Sequence, residues 1–282
     1  MGTNQQRREA AKRKLERQLA RKAERAKRRK IIGIGAAVGV VVVAAGLIVV
    51  FTGQDDDQGA ANAQGEASSS AAPSEDVSIP GQRLEPASRS KPLPNPTTCE
   101  YNKSGQAAKQ VDPPNGKNVS SRGKVEITLA STAGDIPVTL DRSLAPCAVN
   151  SFEHLAEQDY YTDTACHRLG TQGLQMLQCG DPTGKGSGGP GYAFADETFP
   201  KLKYGRGVLA MANAGPDTNG SQFFMVYEDS FLPPNYTVFG TIDEAGLKVL
   251  DKVAKAGVDP TNGEGDGKPK LPMHIDKATV GA

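Results

Sequence analysis

The sequence predicts a mainly β domain with two helices, carried behind one membrane-spanning helix and an unstructured linker. Three observations lead there. From about residue 122 to residue 282 the chain is broken into many short apolar runs bounded by Gly, Pro or polar clusters, the pattern of short strands. Two stretches within that region instead space their apolar residues helically. Ahead of it, Ile31 to Phe51 is 21 residues without a charge or strong polar group.

The overall charge of +1 conceals an asymmetry. Residues 1–30 hold thirteen Lys/Arg against three Glu, a net of +10, and the remaining chain nets −9. The basic segment is rich in Ala, Arg, Lys, Glu and Leu, all good helix formers. Leu15 and Leu19 are its only large apolar side chains, so the helix it suggests has no wide apolar face. At ~1.5 Å per residue, the apolar run 31–51 makes a helix of ~30 Å, the thickness of a bilayer's hydrocarbon core. Basic residues before such a span read as positive-inside, which places residues 1–30 in the cytoplasm and everything after 51 outside. The apolar run is too long and the basic segment too extended for a cleaved signal peptide, and no small-residue cleavage site follows closely. An uncleaved single-pass anchor is the expectation, with the lipid bilayer as partner through residues 31–51 and no nucleic-acid role for the basic segment. Gly35 and Gly39 form a GxxxG, a weak helix-pairing signal in a glycine-rich span, so a monomer is expected. Residues 52–121 turn to Gln, Asp, Ser, Pro, Gly and Ala with few large apolar residues, and composition assigns them to a disordered linker.

Residues 122–282 are long enough for one core. VEITL (125–129) and IPVTL (136–140) read as strands around a turn at Ala133-Gly134. Residues 146–158 place Val149, Phe152, Leu155 and Ala156 on one helical face, and residues 245–256 do the same with Leu247, Leu250, Val253 and Ala254. HRL, MLQC, VLAMA, FFMV, TVFG and MHIDKATV are further short strands. Such a set suggests a closed antiparallel barrel with helices over its ends, and pattern alone leaves a sandwich open as well.

Chemistry concentrates between Cys166 and Tyr236. Arg168 follows His167 on a short strand, Gln178 lies on the next, and AMANAGPDTNGSQFF supplies small residues and then two aromatics. One fixed cation, amide donors and a small apolar pocket suit a neutral substrate whose amide nitrogen must be drawn out of conjugation. The motifs HR, QCGDPTGKGSGGPGY, FADE, MANAGPDTNGSQFF and YTVFG occur together and in order. This segment resembles the cyclophilin family of peptidyl-prolyl cis–trans isomerases, and the resemblance extends over roughly Lys124 to Val280. It selects the closed eight-stranded barrel capped by two helices.

The activity implied is rotation about X–Pro bonds, whose uncatalysed barrier is ~18–20 kcal/mol. Reaching milliseconds takes roughly a 10⁵-fold acceleration, about 7 kcal/mol. No bond breaks, so no cofactor or metal is needed; the catalyst must hold the twisted amide better than either planar form. The resemblance makes Arg168 the catalytic residue, hydrogen-bonding the substrate at the prolyl amide. It makes Gln178 and Asn213, with Ala212 and Ala214 on either side of the latter, substrate-binding. Met176, Gln222, Phe224, Phe231, Leu232 and Tyr236 match the family's proline-pocket and rim positions, His167 of the HR motif is counted with the substrate-binding residues, and Phe223, alternating with Phe224, is expected in the core. Two departures stand out. The run LGTQGLQML is about two residues longer than usual and puts Leu174 or Gln175 where the family has a pocket phenylalanine, and Phe231 stands at a tryptophan position. Weak cyclosporin binding is therefore expected.

Cys99, Cys147, Cys166 and Cys179 all follow the apolar span, on the side where oxidation is expected. Four cysteines allow three pairings. Antiparallel pairing of the strands around them favours Cys166–Cys179, leaving Cys99–Cys147, with free buried thiols as the alternative. GDPTGKGSGG fails the P-loop spacing, because Cys179 and Gly186 stand where Gly and Ser/Thr are needed. Neighbours Cys166 and His167 point to opposite faces of a strand and can hardly share a metal ion. Proline-containing polypeptides of exported or envelope proteins are the expected substrates; a non-catalytic chaperone or proline-peptide-binding module on the same fold is the alternative.

Overall fold

The computed structural model describes residues 82–281. The basic segment, the apolar span 31–51 and the first part of the linker lie outside the described residues. Among those described, no helix is long and apolar enough to cross a membrane.

The strands at 125–129 and 136–140 form as β2 (Lys124–Ser131) and β3 (Ile136–Asp141), after a short β1 (Asn102–Lys103). Alternate residues of β2 and β3 face the core, and the two strands pair antiparallel from Lys124↔Asp141 to Leu129↔Ile136. The turn between them needs Gly134, whose φ is +133°. Helix α1 (Pro146–Glu157) buries Val149, Phe152, Leu155 and Ala156, as its spacing requires. Its first turn has no cap from its own sequence. The Glu197 carboxylate substitutes, accepting from the amides of Cys147 (3.1 Å) and Ala148 (2.8 Å).

Strands β4 (Thr164–Ala165), β5 (Arg168–Gly170), β6 (Met176–Cys179), β7 (Tyr192–Ala193), β8 (Val208–Met211), β9 (Phe223–Val226) and β10 (Val238–Ile242) follow. Helix α2 (Glu244–Lys255) buries Leu247, Leu250, Val253 and Ala254, and Gly246 lets it approach β3, where a Cβ would lie 2.8 Å from Ile136. Strands β11 (Val258–Gly263), β12 (Asp266–Pro269) and β13 (His274–Val280) complete the chain. Among the described residues the fold is mainly β with two helices. Eleven strands share one sheet in the order β11-β12-β5-β6-β9-β8-β10-β3-β2-β13-β4, and β1 pairs separately with β7. Strand β4, at one end of that order, continues after two residues into β5, near the other end. Between them the Cys166 amide donates to Met273 (2.9 Å) and the His167 amide to Gln178 (3.1 Å). The core centres on Phe152, which packs against Tyr161, Phe223 and Phe239 at centroid distances of 4.8–5.3 Å.

Two sequence expectations need correction. Residues 82–121 are not a free tether but an arm laid along the domain. The Leu84 amide donates to Arg206, the Arg89 guanidinium donates to the carbonyls of Leu144 and Glu197 and covers the Phe199 ring, and Thr97 pairs with Val119. Composition averages over a long window and hides such widely spaced anchors. The second correction is the β11–β12 hairpin, absent from the expected elements because it is polar and exposed and held by backbone pairing. Both disulfides, Cys99–Cys147 and Cys166–Cys179, are formed.

Candidate active site

Register alone brings the expected residues together. Arg168 on β5 lies opposite Gln178 on β6, Gln178 opposite Phe224 on β9, and Phe224 opposite Ala210 on β8. Directly opposed residues share a face, so one row across four strands carries the cation, the amide and the aromatic. Met176 joins that face two residues from Gln178. Ala212 and Asn213 follow β8 where its chain leaves the sheet.

A small cavity of about 100 Å³ opens on this face. At ~30 Å³ per water of liquid volume, that is room for one small ring. Met176 and Phe224, both buried, form its floor, and Leu174, Leu232 and Tyr236 its sides. Of the two candidates for the missing pocket phenylalanine, Leu174 lines the cavity. Tyr236 meets Phe224 edge-on at 5.5 Å. Its backbone is fixed at both ends by Tyr204, whose hydroxyl donates to the Tyr236 carbonyl (2.8 Å) and accepts from its amide (3.0 Å). Arg168, Gln178, Ala212 and Asn213 complete the wall.

The polar groups form a chain. Arg168 Nη1 donates to Gln178 Oε1 (3.3 Å), Gln178 Nε2 to Gln222 Oε1 (2.9 Å), and Gln222 Nε2 to the Gly188 carbonyl (2.9 Å). Asn213 Nδ2 donates to the Asn235 carbonyl (2.9 Å). On its far side the guanidinium meets Asp266: Nε donates to Oδ1 at 2.8 Å and Nη2 to Oδ2 at 2.6 Å. Asn262 Nδ2 donates to the same Oδ1 (3.2 Å). A guanidinium has five N–H donors. Among the described residues three are engaged, by Asp266 and Gln178, which leaves two. The side chain is 34% exposed and lines the cavity, so those donors remain within reach of a ligand. Pairing with Arg168 holds the Asp266 carboxyl below the usual carboxylate range. The same hydrogen bonds raise the Arg168 pKa, so the guanidinium stays protonated.

Not every expected residue reaches this cavity. Ala214 and Gln222 line a second, larger cavity alongside it. Phe231 is 94% exposed and points away from both. His167 is half-buried against Gly186, with neither ring nitrogen partnered among the described residues and its pKa lowered by burial. Neighbouring strand residues face opposite ways, so His167 turns its ring from the face that Arg168 serves. Asp266, Asn262 and Tyr204 belong to the site and were not expected. Asp266 sits 98 residues from its partner, within an unremarkable Gly-Asp-Gly, and sequence carries no signal joining them.

The arrangement offers hydrogen-bond donors beside an apolar notch; the cavity holds no side chain placed as a nucleophile. A family model for cyclophilin-type peptidyl-prolyl cis-trans isomerases matches residues 124–280. The chain is 42% identical over 292 residues to a probable peptidyl-prolyl cis-trans isomerase B of Mycobacterium leprae, covering 98% of each. It is 50% identical over 192 residues to the corresponding protein of Mycobacterium tuberculosis, covering 63% of this chain and 62% of that one. A solved cyclophilin-type isomerase of Cryptosporidium parvum superposes with a TM-score of 0.50 at 32% identity, over 57% of this chain and 99% of the other. The chain belongs to the cyclophilin-type peptidyl-prolyl cis-trans isomerase family.

Proposed function

We infer that this chain works as a peptidyl-prolyl cis-trans isomerase, as its family membership implies. We propose that catalysis takes place in the small cavity, with Arg168 donating to the twisted prolyl amide while the proline ring sits on Met176 and Phe224. The observation that carries this reading is a guanidinium with two N–H groups still free, at the wall of an apolar notch sized for one small ring. A planar amide spreads its nitrogen lone pair into the carbonyl. Rotation localises that pair on nitrogen, where a fixed donor stabilises it more than it stabilises either planar form. Gln178 orients the guanidinium from one side and Asp266 from the other, so little reorganisation accompanies the rotation. Asn213 and Gln222 are placed to hold the peptide backbone. We infer too that the sheet closes into an eight-stranded barrel through the β4–β5 strand.

Residues 1–51 support a single-pass anchor with the domain outside the cytoplasm, acting as a monomer on proline-containing chains of exported or envelope proteins; the two disulfides suit that setting. One observation favours the alternative of a peptide-binding module: Asp266 occupies Nε and Nη2 of the arginine. An isomerisation assay of the whole chain on a short X-Pro peptide separates the two. Acceleration of cis–trans relaxation supports the enzyme, and unchanged relaxation with retained peptide affinity supports the module. Extraction of cell membranes at alkaline pH tests the anchor, which predicts that the protein stays with the lipid.

A further inference from the structure

The arm's turn at Ser104–Gln106 stands beside the catalytic face. Strand β1 pairs antiparallel with β7, Asn102 opposite Ala193 and Lys103 opposite Tyr192. The Ser104 amide then donates to Gly191 (2.9 Å) and the Ala108 amide to Gly189 (2.8 Å). The arm thus rests on the backbone of the glycine-rich loop 186–191. Gly191 has φ +83°, and a Cβ there would stand 3.1 Å from the Ala107 amide nitrogen; one at Gly188 would stand 3.0 Å from the Ala108 Cβ. Behind the turn the arm is fixed three times. Cys99 is bonded to Cys147, the Tyr101 hydroxyl donates to the Cys147 carbonyl (2.8 Å), and the Tyr101 ring meets Tyr192 and Phe194 edge-on at 5.5 and 5.6 Å. The arm's own residues all precede residue 124, where the family match begins.

The second cavity, about 620 Å³, has Ser104, Gly105 and Gln106 as one wall. It shares Gln178, Ala212 and Asn213 with the proline pocket, so the two are neighbours along one groove. Among the described residues no charged side chain lines it. Its polar groups are hydroxyls, amides and backbone, which satisfy a neutral polar side chain and leave an ionised one without a counter-charge. An extended peptide turns alternate side chains to the same side. A residue two positions from the proline therefore faces the same wall of the groove as the proline itself.

We propose that the Ser104–Gln106 turn is a specificity-determining wall of the substrate groove. It selects proline-containing chains whose residue two positions from the proline is small or neutral-polar, and disfavours Asp, Glu, Lys and Arg there. This rests on the catalytic reading above only in that it takes the small cavity as the proline's seat.

The test uses the whole chain and two peptide series, with Gln, Ala or Glu placed two positions before the proline in one and two after it in the other. The ratio of kcat/KM for the Gln peptide to that for the Glu peptide is expected to reach roughly 10-fold in one series, the order of a buried group left unsatisfied. Two variants are read against it. Cys99→Ser/Cys147→Ser unpins the arm, and Gln106→Ala trims its exposed turn without touching the core. In both, the ratio should fall at least several-fold towards one. A wild-type ratio near one in both series, or a ratio unchanged in both variants, overturns the proposal. Dissociation constants of the same peptides are measured alongside by calorimetry. A chain that fails to isomerise any peptide yet shows the arm-dependent preference in binding would sink the catalytic reading and keep this one.

Discussion

Replacing Asp266 with Ala removes the carboxylate that receives Nε and Nη2 of Arg168. The effect on stability should be small. Both partners are about a third exposed, at 34% and 31%, and a pair so solvated contributes about 1 kcal/mol or less. The effect on rate should be larger, because the guanidinium would keep only its 3.3 Å contact to Gln178 and could swing. A misplacement of ~1 Å can cost up to about 10²-fold in rate. With one anchor remaining, we expect kcat/KM to fall roughly 10-fold, about 1.4 kcal/mol. Asp266→Asn retains one carbonyl acceptor and should recover part of the loss, which a merely structural role would not require. The pH profile provides a second readout. Arg168 lowers the Asp266 carboxyl below the usual range, so the pairing is complete above the unfolded-state value near ~3.9 and is lost only as pH falls through the lower folded value. Wild-type activity should therefore have no limb from this pair above about pH 4. The assay is cis–trans relaxation of an X-Pro peptide by NMR exchange, with thermal unfolding as the fold control. A several-fold rise in activity for Asp266→Ala would refute the reasoning, because it would show the carboxylate competing with substrate for the arginine.

Glu197 gives a pH-dependent stability. Burial raises its pKa to about 7, against two backbone hydrogen bonds and Arg89 that pull it down. A raised folded-state pKa means that this group's stabilising contribution is present at low pH and is lost as pH rises towards 7. Urea midpoints should fall between about pH 4.5 and 7, and Glu197→Gln should flatten that slope while losing one of the two amide contacts at the start of α1. The disulfides should rank by the loops they close. The separation of 48 residues for Cys99–Cys147 implies about 4 kcal/mol and that of 13 for Cys166–Cys179 about 3 kcal/mol of chain entropy, to be compared as Ser double variants in urea unfolding. Cyclosporin should bind weakly, since Leu174 replaces a pocket phenylalanine and Phe231 points outward; a nanomolar dissociation constant by calorimetry would contradict this.

Much of the fold was legible because it is written in local period. Alternation gave β2 and β3, helical spacing gave both helices, and the Phe223/Phe224 alternation placed one ring in the core and the other in the cavity. The lining of the small cavity was legible through motifs: Arg168, Met176, Gln178, Ala212, Asn213, Phe224, Leu232 and Tyr236 all meet there. What was missed is held by contacts that leave no period. The β11–β12 hairpin is polar, and its contribution to the site, Asp266, depends on register with β5 rather than on neighbours in the chain. The arm joins the domain through scattered anchors, so its average composition still resembles a tether. Phe231 and His167 show the reverse, residues in expected positions whose side chains turn away from the cavity.

The most direct measurement is the isomerisation rate of Arg168→Ala beside wild type on one X-Pro peptide, with thermal unfolding and peptide affinity recorded for both. The proposed role predicts that losing the Arg168 donors lowers kcat/KM by roughly 10²-fold, the scale of one well-placed transition-state donor, with peptide affinity and unfolding temperature little changed. Wild-type rates in a folded Arg168→Ala protein would show that the amide rotates without the guanidinium.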